Sequence, residues 1–135
     1  MKQEDCIFCK IANGEIPSRT VYEDEDFRAI LDMGPATQGH TLILPKEHAK
    51  DLFELPRETA EKIIPVAQKV ACVLTTKLDC QGINLVQNNG EVAGQTVKHF
   101  HLHVIPRYVN DGQKILWNPT QPSAEELDKV LEKIQ

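Results

Sequence analysis

The chain has 135 residues, enough to bury a core without disulfide or metal staples. Fifteen basic against twenty acidic residues leave a formal charge of −5, which argues against a general nucleic-acid coat but allows small anions held by local donors. No apolar run approaches the length of a membrane span. The start MKQEDCIFCK lacks the apolar core of a secretory signal, so the four cysteines point to a reducing cytoplasm rather than to a disulfide framework.

In chain order, residues 7–12 (IFCKIA) predict one or two helical turns, closed by Asn13–Gly14, both tolerant of the left-handed conformation. Thr20–Glu23 and Phe27–Met33 read as strands joined by a turn, and His40–Pro45 as a third strand stopped by its proline. Arg57–Leu78 carries Ile63, Val66, Val70, Val73, Leu74 and Lys77 near helical spacing, with Pro65 expected to kink or interrupt it. Gly82–Gln87 is a strand, Asn88–Gly94 a loop by composition, and His99–Pro106 a fifth strand. Ser123-Ala-Glu-Glu126 is a capping box opening a helix with Leu127, Val130, Leu131 and Ile134 on one stripe. Strands run in groups rather than alternating with helices. The expected fold is therefore α+β, a mainly antiparallel five-stranded sheet with a long helix and a C-terminal helix, in one domain over residues 1–135. Cys72 and Cys80 read as small buried hydrophobes.

All five histidines fall in three places: His40, His48 and the run His99-Phe-His101-Leu-His103. On a strand these three imidazoles share one face, while Phe100, Leu102 and Val104 share the other. Same-face neighbours stand roughly 6.6 Å apart, twice the strand rise. Three surface histidines would be an odd solvent face and a poor core. A metal could take two neighbouring imidazoles, but not the outer pair without a bend. Nucleophilic chemistry on phosphorus uses the row best: one neutral ring nitrogen attacks, and its neighbour manages protons near neutrality.

The run H-F-H-L-H-V-I resembles the signature of the histidine triad (HIT) nucleotide hydrolases and transferases. CIFCKI, LDMGPATQGHTLILPKEH and NLVQNNGEVAGQTVKHFHLHVIPR resemble that family's bacterial, cysteine-containing branch, so the likeness covers roughly residues 5–107 and leaves 108–135 uninformative. The resemblance implies a HIT-like fold with His101 as nucleophile and His103 on the phosphate and leaving group. It places Asn88, Gly94, Gln95 and Thr96 in a phosphate loop, Asp32 on the ribose hydroxyls and His40 near ribose and base. It makes Phe8, Ile11, Ile30 and Met33 walls of the base pocket. An ionised carboxylate only accepts, which suits two vicinal hydroxyl donors at Asp32.

Cys6 and Cys9 have ligand spacing, and two thiolates need two more ligands to close a tetrahedron. In the branch this chain resembles, those are histidines matching His48 and His99, which implies a structural zinc and no separate catalytic metal. A thioredoxin-like pair is disfavoured because no parallel βαβ unit follows. The expected activity is hydrolysis of a purine nucleoside 5′-phosphoramidate through a nucleotidyl-histidine. The alternatives are dinucleoside polyphosphate hydrolysis, a nucleotide-binding regulatory module, and a metal-dependent enzyme ligated by His101 and His103. The resemblance also implies a homodimer, expected around Arg57–Leu78, with neither nucleic acid nor membrane as partner.

Overall fold

The computed structural model describes residues 3–135; Met1 and Lys2, the start of the polar N-terminal stretch, lie outside the described residues. The expected elements occur in the expected order: α1 (Ile7–Ala12), β1 (Thr20–Glu23), β2 (Phe27–Leu31), β3 (Thr41–Pro45), α2 (Arg57–Leu78), β4 (Gly82–Val86), β5 (Leu102–Arg107) and α3 (Ala124–Ile134). They form an α+β fold on a five-stranded sheet of order β1-β2-β3-β5-β4, with every neighbouring pair antiparallel.

β3 is central and buried along its whole length, so both faces of the sheet are covered. On one face Ile43, Leu102, Val104 and Phe100 pack against Ile63, Val66, Ala67, Val70 and Leu74 of α2. On the other, Ile30, Leu42 and Leu44 meet Ala12, Phe8 and Ile11 of the N-terminal helix. Alternation along the strands thus sends the apolar residues of the histidine run toward α2 and leaves its imidazoles on the α1 side.

Several boundaries differ from the sequence expectation for local reasons. β2 ends at Leu31 rather than Met33 because Asp32 Oδ1 accepts the Gly34 N–H at 2.8 Å and turns the chain. β3 begins one residue after His40, whose N–H bonds back to Thr37 instead. β4 stops at Val86, and the loop behind it contains a short 3-10 turn, Glu91–Ala93. β5 begins at Leu102, not His99: the pairing with β4 reaches only His103, and the Phe100 N–H goes to Ala49 O at 2.7 Å. Pro65 does not interrupt α2; it lies on the exposed side, where water can take the Glu61 carbonyl that loses its partner. Val73 and Lys77 fall off the buried stripe, and Cys72 is exposed, leaving Cys80 alone as the buried small hydrophobe of that pair. The stripe of α3 is present, yet none of its residues is buried.

The loop before β3 closes tightly on the end of α2. Gly39 has φ +91°, and a β-carbon there would sit 2.4 Å from Leu78 Cδ1 and 3.3 Å from the Pro106 ring. Gly39→Ala combines an unfavourable backbone conformation with overpacking. Chemical denaturation of the purified variant should show a loss of about 1–3 kcal/mol; unchanged stability would contradict this packing.

Candidate active site

The five imidazoles form a continuous row. His40 faces His103 with ring centroids 5.1 Å apart, and His103 faces His101 at 5.0 Å. Phe8 stands edge-on to both His101 and His99, at 5.0 and 6.1 Å, and His99 meets His48 at 5.1 Å. The phenyl ring therefore stands between His48 and His99 at one end and His101, His103 and His40 at the other. His99 and His101 are buried, which the expectation of a poor core did not anticipate.

Backbone groups fix where each ring carries its proton. His101 Nδ1 lies 2.7 Å from the carbonyl oxygen of His99, which can only accept, so Nδ1 holds the hydrogen and Nε2 of the neutral ring is a free lone pair. The N–H of Ala36 donates to His40 Nδ1 at 2.9 Å, which places the hydrogen of neutral His40 on Nε2. That Nε2 lies 2.9 Å from His103 Nδ1, so His103 accepts there and presents Nε2–H. The inner imidazoles consequently offer opposite functions, a bare nitrogen on His101 and a donor on His103. Burial, reinforced by the neighbouring His101 and His40, pulls His103 from its ordinary 6.5 down to about 4, and burial likewise lowers His40. His103 is thus uncharged near neutrality in the unliganded protein.

At the far end, Cys6, Cys9, His48 and His99 converge. His99 Nε2 donates to Pro45 O at 2.9 Å, which leaves its Nδ1 bare toward the sulfurs. That Nδ1 lies 3.4 Å from each thiol sulfur and 3.2 Å from His48 Nδ1, and His48 Nδ1 lies 3.3 Å from Cys9 Sγ. A tetrahedral zinc with Zn–N about 2.05 Å and Zn–S about 2.3 Å has N···N edges near ~3.3 Å and N···S edges near ~3.5 Å. The donor set matches in identity, number and spacing. Burial pushes the Cys9 thiol up, a penalty on its thiolate that a bound cation offsets. Cys6 also caps α1 through its sulfur, which accepts the Cys9 N–H, so the same short helix supplies both thiols and Phe8.

The remaining expected residues divide. Asp32 sits beside His40, with Oδ2 3.5 Å from His40 Nε2 and Oδ1 holding the turn. A second group of possible ligands, Asp32, His40 and His103, is held together by the His40–His103 hydrogen bond and does not include His101. Ile11, Ile30 and Met33 line a cavity of about 250 Å³ together with Ile16, Pro17, Ser18, Arg19 and Leu31. Phe8 packs with Ile11 on the cluster of Ile30 and stands edge-on to the His101 ring, and Leu31 and Met33 of the cavity flank Asp32 in the chain. Met33 is 85% exposed and forms its rim rather than a buried wall.

In the loop after β4, Gly94 has φ +98° and closes the 3-10 turn. Asn88 lies beside it, Nδ2 3.5 Å from the Gly94 carbonyl. Thr96 is exposed and lines a groove with Cys6 and Ile7. Gln95 is buried, and its amide is fully engaged: Oε1 accepts from Gly90 N–H, and Nε2 donates to Lys50 O and Val97 O. Its backbone N–H goes to Gly90 O, so Gln95 shapes the loop instead of reaching into the cleft. Sequence reasoning missed Ala36, Pro45 and Ala49, which act only through backbone groups and carry no residue-type signal.

Residues 13–110 match the HIT domain family. An uncharacterised HIT-like protein of Methanocaldococcus jannaschii is 46% identical over 130 residues, covering 96% of this chain and 98% of that protein. An adenosine 5′-monophosphoramidase of Schizosaccharomyces pombe is 38% identical over 130 residues, covering 96% and 95%. The crystal structure of a zinc-bound histidine triad family protein from Mycobacterium smegmatis superimposes with a TM-score of 0.75 at 41% identity, covering 96% of this chain and 91% of that one. With the triad, the sheet and the match over most of its length in agreement, the chain belongs to the HIT family.

Proposed function

We propose that this chain is a hydrolase that cleaves purine nucleoside 5′-phosphoramidates, the whole chain serving as one catalytic domain in a reducing cytoplasm. The observation that carries this reading is the 2.7 Å bond from His101 Nδ1 to the His99 carbonyl, which in the neutral ring puts the hydrogen on Nδ1 and the lone pair on Nε2. The monophosphoramidase among its relatives supports the leaving-group class.

The Nε2 lone pair attacks the 5′-phosphorus and the P–N bond breaks. His103 Nε2–H donates a hydrogen bond to the departing group, and the proton that the leaving nitrogen takes up comes from solvent, so neutral His103 keeps its own hydrogen. Water then attacks the same phosphorus, the His101–P bond breaks, and the nucleoside monophosphate leaves. Asp32 accepts from the ribose hydroxyls, and Asn88, Gly94 and Thr96 surround the phosphate with neutral groups, consistent with an acidic chain. His40 holds His103 in its donor tautomer. Quenching a reaction with substrate labelled at phosphorus should yield acid-labile, base-stable label on the wild type and none on His101→Ala. Label that persists in the variant, or is absent from the wild type under turnover, would refute the mechanism.

We further propose that Cys6, Cys9, His48 and His99 hold a structural zinc. The set is coordinatively closed, so the ion would fix α1 against the strand rather than bind substrate. Elemental analysis of protein purified under reducing conditions should give one zinc per chain, kept in His101→Ala and lost in Cys6→Ser. Zinc lost in His101→Ala would move the ion to the triad instead and defeat this assignment.

The chain is also proposed to form a homodimer through α2 and the sheet edge. Ile64 and Val73 lie exposed on α2, and Leu85 lies exposed on β4, which has a strand on one side only. Light scattering should give twice the chain mass for the wild type and a single-chain mass for Val73→Glu. A monomeric wild type would exclude the dimer.

A further inference from the structure

The cavity beside Ile11, Ile30 and Met33 has apolar walls and one charged side chain at its mouth, Arg19. Its volume of about 250 Å³ is that of a subsite for one flat ring, below the ~300 Å³ at which pockets for whole drug-sized ligands begin. Arg19 is fixed there by the main chain, because its carbonyl accepts the Leu31 N–H at 3.0 Å at the end of β2. The side chain is exposed and reaches across the cavity rim, with Nη1 3.8 Å from Met33 Sδ.

The other three arginines are committed. Arg28 pairs with Glu23, Arg57 with Glu61 and Arg107 with Asp111. Arg19 pairs with no carboxylate among the described residues, and its one protein contact is a thioether, a weak acceptor. The hydroxyl of Ser18, which also lines the cavity, is engaged with Thr20 at 3.1 Å. A guanidinium fork with no carboxylate partner among the described residues therefore stands at the rim of a mostly apolar slot whose Leu31 and Met33 flank Asp32, the carboxylate beside His40.

Such a fork reads a pair of adjacent acceptors. The N7 and O6 atoms of guanine or hypoxanthine are both acceptors, whereas adenine offers N7 beside an N6 amino donor that opposes the fork. We propose that Arg19 is the specificity-determining residue of this subsite and selects 6-oxopurine nucleotides over adenine nucleotides. The proposal rests on the nucleotide reading of the site and adds the identity of the base.

The test is calorimetric binding of GMP, IMP and AMP to the wild type, Arg19→Ala and Arg19→Lys, so that turnover is not required. The wild type should bind GMP and IMP about tenfold more tightly than AMP, the discrimination of one good bidentate contact. Arg19→Ala should bring the three affinities together by weakening GMP and IMP while leaving AMP nearly unchanged. Arg19→Lys keeps the charge and donors that can still reach N7 and O6, so the preference for GMP and IMP should shrink without changing sign; a reversal toward AMP in Lys would overturn the proposal. Equal affinities in the wild type, a preference for AMP, or a ratio unaffected in Arg19→Ala would each overturn it while leaving the nucleotide reading intact. Failure of all three nucleotides to bind the wild type would bring down both.

Discussion

The hydrogen bond from His101 Nδ1–H to the carbonyl of His99 is the constraint on which the site depends. Imidazole is a nucleophile only at a nitrogen without hydrogen, and a side chain free in solution divides its proton between both positions. Here the polypeptide settles the matter with a group that cannot donate. Residue 99 serves two ends at once. Its ring, held by the Pro45 carbonyl, turns a bare nitrogen toward the thiols, while its own carbonyl dictates the state of the ring two residues on. The departure of His99–His101 from regular strand pairing makes this possible. A ladder bond would have occupied the carbonyl that His101 uses.

The same economy of means extends along the row. A single backbone N–H, from Ala36, orients His40, and His40 in turn orients His103. With His103 drawn to about 4 by burial and its imidazole neighbours, that ring carries no charge near neutrality. Under the proposed function, an anionic phosphate would meet oriented dipoles rather than a field of lysines, in keeping with a chain whose formal charge is −5.

Much of this was legible in the sequence because it follows from strand alternation. The pattern His-apolar-His-apolar-His already places Phe100, Leu102 and Val104 against a helix, and α2 supplies Ile63, Val66 and Val70 to receive them. The capping box at Ser123 and the left-handed tolerance of Asn13–Gly14 are equally local signals. What escaped depends on partners distant in sequence. Where β5 begins is set by the length of β4 and by the Ala49 carbonyl, not by residues 99–101 themselves. Gln95 looks like a phosphate donor until Lys50 O and Gly90 N–H are brought to it by the fold. Cys72 and Cys80 have the same side chain, yet Cys72 lies on the exposed face of α2 and Cys80, two residues beyond the helix end, is buried.

The segment following β5 carries a consequence of its own. Arg107 and Asp111 clasp each other, with Asp111 held well below the usual carboxylate range by that guanidinium, and the clasp orients the chain beyond. From there Tyr108 donates to Gln38 O and Gln113 donates to Ala36 O. These two stitches fasten the 36–39 loop whose amide chooses the tautomer of His40. Residues 108–113, none of them buried, thereby act as a strap on the hydrogen-bond wiring of the imidazole row. Divergence in that strap offers evolution a way to retune the chemistry of the imidazole row without altering a single imidazole.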